Sequence, residues 1–130
     1  MKTFVKYLDN CADLYTTVGV SDEKIKEAEK NLELSFSKEY IEYLLKYGIA
    51  SASGHEFTGL GKIKRLDVVE VTMSNKKANV NVPKDLYVIE ECNIDDIVIW
   101  QSEKGNIYMT TGDSKPKKIY SSLLEYIKKS

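Results

Sequence analysis

Residues 20–48 read VSDEKIKEAEKNLELSFSKEYIEYLLKYG, and residues 53–61 read SGHEFTGLG. This stretch decides the fold. Ser21 is placed to accept a bond from an orphan backbone N–H of a helix, with Asp22 and Glu23 at the positive end of its dipole. Val20 and Ile25 are spaced as a hydrophobic staple, and Ile25, Ala28 and Leu32 line one helical face. Ser37 repeats the pattern, with Phe36 and Ile41 as its staple. Tyr40, Ile41, Leu44, Leu45 and Gly48 follow the 3.6 period, and Gly48 supplies a left-handed stop. Tyr40, Tyr43 and Tyr47 form a second stripe, read as packing at the edge of the core. Gly54, Gly59 and Gly61 bracket a strand at 56–60.

Outward from this stretch the signals are shorter. Residues 2–15 place Phe4, Val5, Leu8, Cys11, Ala12 and Tyr15 at helical spacing. Residues 66–78 carry two conflicting patterns. Val68, Val69, Val71 and Thr72 favour a strand, while Leu66, Val69 and Met73 fit a helix face, and both readings stand. Residues 86–90, 97–101 and 107–110 alternate like an antiparallel meander, with turns at 103–106 and 112–116. Ser122 with Glu125 three residues on opens a last helix containing Leu123, Leu124 and Ile127. Helices, then strands, then a helix predict an α+β fold: a bent, mainly antiparallel sheet packed by N-terminal helices and a C-terminal helix.

The 130 residues suit one domain over 1–130, which buries roughly two-thirds of its unfolded surface. Apolar residues make up 42% and charged residues 30%, a globular balance. No apolar run reaches the roughly 18 residues that a membrane span needs, so no membrane association is expected. Asp9, Asn10 and Asp13 interrupt the N-terminus where an export signal would stay apolar, which predicts a cytoplasmic protein. Cys11 and Cys92 match no metal spacing and are expected as reduced thiols rather than a disulfide.

The net charge of −1 is unevenly spread. Residues 85–113 hold seven acids and one base, whereas residues 62–84 hold six bases and two acids. A whole-domain basic footprint is absent, which argues against direct nucleic-acid binding. The acidic segment reads either as a docking face for a basic partner or as a solvated surface whose charges are neutralised in space. The docking reading selects Glu90, Glu91, Asp95, Asp96 and Glu103, with Trp100 as an aromatic anchor. Residues 91–96 lack the alternating ligands and central glycine of a calcium loop and read as a solvated hairpin turn. His55 is the one histidine; beside Glu56 in a Gly/Ser-rich segment it reads as a plain loop residue. No nucleophile–His–carboxylate set, phosphate loop or metal cluster is visible, so no enzyme activity and no cofactor are expected. A small enzyme using His55 with a nearby acid stands as the lesser alternative.

The order of these elements resembles the SUKH superfamily, the Smi/Knr-type domains. Residues 21–48 are similar to its helix pair, with Tyr40 in the first turn of the second helix and a terminal Tyr47-Gly48. GHEFTGLG, LYVIEE and NIYMTTGDSKPKKIYSSLLEYI are similar to its following strand, its central strand, and its closing strand with terminal helix. The family usually carries a proline before the second helix, where this chain has Phe36-Ser37. The resemblance implies a non-catalytic immunity protein that binds a cognate secreted toxin, often a nuclease, and blocks it. An adaptor or regulatory domain is the alternative the same resemblance allows.

Overall fold

The computed structural model describes residues 3–130; Lys2, included in the first expected helix, lies outside them. Helix α1 (Phe4–Asp9) is capped by Thr3 and stops at Asn10, well short of residue 15. Phe4, Val5 and Leu8 are buried, as their spacing predicts. Tyr15 instead opens strand β1 (Tyr15–Thr16) and is exposed. The chain leaves the helix because the Asn10 side chain bonds back to the Lys6 carbonyl and Asp13 reaches the Ser53 backbone N–H at 2.9 Å.

Helices α2 (Asp22–Leu32) and α3 (Lys38–Tyr47) begin where their serines place them. Ser21 Oγ accepts from Lys24 N at 3.3 Å, and Ser37 Oγ from Tyr40 N at 3.0 Å. Gly48 ends α3 at φ +69°. The tyrosine stripe is not an edge. Tyr40, Tyr43 and Tyr47 are buried, while Leu45, expected inward, is 47% exposed. For Tyr40 and Tyr43 the cause is hydrogen bonding. The Tyr43 phenol donates to the Thr58 carbonyl and accepts from Ala50 N, each at 2.9 Å, and the Tyr40 phenol meets Thr58 Oγ1 at 2.9 Å. Phenols satisfy the buried polar atoms of residues 50–58, which leucine could not do. Burial raises the Tyr40, Tyr43 and Tyr87 phenols above their ordinary range, so they serve as neutral donors and acceptors.

Strands β2 (Ala50–Ala52) and β3 (His55–Glu56) complete a small antiparallel sheet in the order β1–β2–β3. The strand expected at 56–60 is thus only two residues long. Its remainder is a bonded connector between the sheets: Thr58 N donates to the Ile89 carbonyl, Leu60 N to Gly48, and Gly59 N to Leu66. A Cβ on Gly59 would lie 1.8 Å from the Gly48 carbonyl oxygen. Backbone on both sides cannot yield cheaply. Gly59→Ala is therefore expected to cost at least about 1–3 kcal/mol, the usual range of overpacking, read as a lower denaturation midpoint with an unchanged slope.

After a 3-10 turn at Lys64–Leu66, the ambiguous segment is helix α4 (Val68–Ala78). Asp67 caps it through Val69 N at 2.9 Å and Glu70 N at 3.2 Å. Val68, Val71 and Thr72 turn inward, and Thr72 Oγ1 accepts from Val88 N at 3.0 Å. Packing on the sheet and the aspartate cap together override the β-branched preference.

Strands β4 (Tyr87–Glu91), β5 (Ile97–Gln101), β6 (Ile107–Thr111) and β7 (Lys117–Tyr120) form an antiparallel meander, and α5 (Leu123–Lys129) follows. The fold is α+β, as expected. Ser122 caps α5, and the Glu125 carboxylate accepts from Ser121 N at 2.8 Å, one residue earlier than a strict capping box. Both faces of the four-stranded sheet are packed. Tyr87, Ile89, Ile99 and Ile107 join the main core with Phe4, Phe36, Tyr40, Tyr43, Phe57 and Leu123. Val88 and Trp100 join a second cluster with Val71 and Leu86. The free edge at β7 carries exposed Lys117 and Lys118, which discourage edge pairing. Cys11 and Cys92 are free thiols.

Candidate functional site

The C-terminal end of α4, the β4–β5 turn and the β6–β7 turn enclose an open groove of about 620 Å³. Its acids are Glu91, Asp95, Asp96 and Asp113, and its base is formed by Val98, Trp100 and Thr110. Asparagine side chains hold the three elements together. Asn75 Nδ2 donates to Glu91 Oε2 at 2.9 Å, and Asn79 Nδ2 to the Ser114 carbonyl at 2.9 Å. Asn81 Nδ2 donates to the Asp113 carbonyl at 2.7 Å, and Gly112 N joins the two turns by donating to the Asp96 carbonyl at 3.2 Å. The β4–β5 turn holds Asn93, Asp95 and Asp96 at φ between 53° and 57°. Asn and Asp tolerate this left-handed region better than other side chains with a Cβ. The turn therefore has a set shape and presents its acids outward.

Among the described residues, none of the ion pairs uses Glu91, Asp95, Asp96 or Asp113. Val80 and Ile94, 87% and 64% exposed, adjoin Asn79 and Asp95 in sequence and add apolar surface beside the groove. An acidic hollow with apolar neighbours can take a basic, partly apolar protein segment. Among the described residues, no group of three or more His, Cys, Asp or Glu is placed to hold a metal ion.

The six residues selected from sequence do not share one place. Glu91, Asp95 and Asp96 come together in the groove. Trp100 lies beneath it, 1% exposed, with Nε1 bonded to Thr110 Oγ1 at 2.9 Å, so it is a core residue and not an exposed anchor. Glu103 stands in the β5–β6 turn beside a different hollow shared with Lys38, Glu39 and Lys104. There Glu39 caps α5 from outside, its carboxylate accepting from Leu123 N at 2.7 Å and Leu124 N at 3.0 Å. Burial raises the Glu39 carboxyl above its ordinary value, against the lowering by these two N–H groups.

Glu90 is the clearest departure. The ladder register shifts between Val88 and Glu90, and Glu90 is buried at 5% exposure, away from the groove. Its Oε1 meets His55 Nδ1 at 2.8 Å and accepts from the Tyr126 phenol at 2.5 Å, and its Oε2 accepts from Glu56 N at 2.8 Å. His55 is accordingly no plain loop residue. It lies in β3, its side chain only 11% exposed, its ring stacked 5.6 Å from that of Phe57. Ser130 Oγ sits 2.9 Å from His55 Nε2, so Ser130, His55 and Glu90 fall in a line. The line lacks the direction that catalysis needs. Ser130 spends its one hydroxyl proton on the Tyr126 carbonyl at 2.5 Å and can only accept at His55, whereas a nucleophile must donate to its base.

Asp113 entered the sequence reading only as one charge among seven. None of Asn75, Asn79 and Asn81 is singled out for function by the sequence; the Asn-rich end before Pro83 reads simply as a loop, because asparagine in a polar run is an ordinary loop signal. The spacing of 113 from 95–96 becomes proximity only through the register of β5 on β6, where Ile97 pairs with Thr111.

An α+β chain with a four-stranded meander, a helix on each face of it and a preorganised acidic hollow defines the class of fold and site described above. The family model described as SMI1-KNR4 cell-wall, SUKH_6, matches residues 22–127, and the chain belongs to the SUKH superfamily. That family is known for toxin immunity and is in general a non-catalytic binding domain. No curated protein matches the chain. Among the described residues, no helix is long and apolar enough to cross a membrane.

Proposed function

We propose that this chain is an immunity protein that neutralises a cognate secreted toxin by stoichiometric blockade from the cytoplasm. The acidic groove carries the reading. Four carboxylates that form no ion pair among the described residues, on turns fixed by asparagine bonds and flanked by exposed Val80 and Ile94, suit a basic protein surface. A nuclease toxin has such a surface, because its cleft must attract phosphates. A preformed acidic face adds a long-range attraction that speeds association and fixes register. Blockade requires no chemistry from this chain, in keeping with the family.

The test is protection and stoichiometry together. A candidate toxin domain, sought first in the neighbouring genes, is expressed in cells with and without this chain, and the purified pair is titrated calorimetrically. Growth rescue with one-to-one binding is the expected result. Binding with no rescue would favour an adaptor or regulatory role for the same groove. Rescue by substoichiometric amounts of this chain would point to turnover, and thus to an enzyme.

A further inference from the structure

We infer that His55, Glu90, Tyr126 and Ser130 form a pH-sensitive clasp that locks the C-terminal turn of α5 onto β3 and β4 while His55 carries two ring protons. The proton inventory supports it. Glu90 Oε1 already accepts from the Tyr126 phenol and Oε2 from Glu56 N, so the carboxylate acts as an acceptor on both oxygens. His55 Nδ1, 2.8 Å from Oε1, completes that set as a donor. At the other end of the ring, Ser130 Oγ has given its proton to the Tyr126 carbonyl, so Nε2 must donate to it. Both nitrogens are donors only in the imidazolium. The ring is also enclosed, stacked on Phe57 and 5.1 Å from the Tyr126 ring.

The titratable groups facing the cluster agree with this assignment. From α5, the Tyr126 phenol is raised above its ordinary value by burial and then by the Glu90 charge, so it remains a donor. After β4, the Cys92 thiol is raised by burial and then by Glu90, so it stays protonated. From β3 itself, the Glu56 carboxylate turns away to a bidentate pair with Arg65 at 2.5 and 2.6 Å. Among the described residues, Glu90 is thus the one acid bonded to the ring. As pH rises the ring gives up its Nε2 proton, because the Nδ1 proton is held by the Glu90 carboxylate at 2.8 Å; the bare Nε2 then faces the Ser130 oxygen, which can bond to it only by withdrawing its proton from the Tyr126 carbonyl. The clasp therefore holds while both ring nitrogens carry protons and loosens when Nε2 does not.

The single histidine makes the test direct. Long-range proton–nitrogen NMR spectra of the ¹⁵N-labelled full chain report both ring nitrogens at each pH. Amide exchange, corrected to protection factors, reports α5 in the same samples. Both nitrogens are expected protonated at mildly acidic pH, with protection of residues 126–130 falling at least tenfold in step with loss of the second proton. Ser130→Ala, at an exposed site, should lower that protection on the acid side while leaving β4–β7 amides unchanged. Glu90→Gln should abolish the pH dependence; where it fails to fold, the wild-type titration and Ser130→Ala decide. A neutral ring at every pH, or α5 protection that does not follow the ring, overturns the clasp.

Discussion

Replacing Glu91, Asp95, Asp96 and Asp113 together by lysine is expected to remove toxin binding and leave the fold in place. All four are exposed, and among the described residues their carboxylates make no ion pair; the Asn75 bond to Glu91 is lost, while those of Asn79 and Asn81 to backbone carbonyls remain. Surface substitutions of this kind usually change stability by under about 0.5 kcal/mol each, so the melting temperature should stay within several degrees. Truncating one partner of a desolvated charge pair in an interface costs about 2–5 kcal/mol, and losing a single such pair weakens binding roughly 30-fold to several thousand-fold. Reversal of four charges should exceed that, with the association rate falling most at low salt. Lysine fits the left-handed positions 95 and 96 less well than aspartate, so Asp95→Asn with Asp96→Asn serves as a gentler variant that keeps the backbone preference. Glu103→Lys, in the turn at the far end of the strands, should bind normally. Equal loss from Glu103→Lys and from the groove variant would move the docking face away from the groove.

Trp100→Ala is expected to show the opposite pattern, a large loss of stability. The indole is 1% exposed between Val71, Leu86 and Val88, and its Nε1 is bonded to a buried threonine. Emptying such a site costs about 3–5 kcal/mol. For a chain of this size that corresponds to a fall of roughly 10–25 °C in melting temperature, read by calorimetry or circular dichroism. A loss under about 1 kcal/mol, together with greatly weakened toxin binding, would restore Trp100 as an interface anchor and contradict its place in the core.

Helix starts and stops were legible because their chemistry is local. Ser21, Ser37 and Ser122 cap the helices they were read to cap, and Gly48 stops α3. The same locality explains the errors. The 66–78 conflict could not be resolved from periodicity, since Asp67 as a cap and the sheet beneath Val68, Val71 and Thr72 decide it together. Tyr40 and Tyr43 took the inward place expected of Leu45 because the buried polar atoms of Thr58 and Ala50, distant in sequence, need phenols. At the site, the charge count found the segment and missed the partition. Adjacent Glu90 and Glu91 face opposite sides by ordinary alternation, and the register shift between Val88 and Glu90 decides which of them is buried against His55 and which lies on the groove. Alternation in a sequence does not disclose such a shift.

The groove as the docking face is tested most directly by a hydrogen-exchange footprint of this chain alone and in complex with the toxin domain it neutralises in the growth-rescue assay. Protection on binding is expected at residues 91–98 and 110–114 and at the C-terminal end of α4, with the β5–β6 turn around Glu103 unchanged. Protection confined to the opposite side, around exposed Tyr15, Val18 and Leu45, with exchange in the two groove turns unaltered, would contradict it.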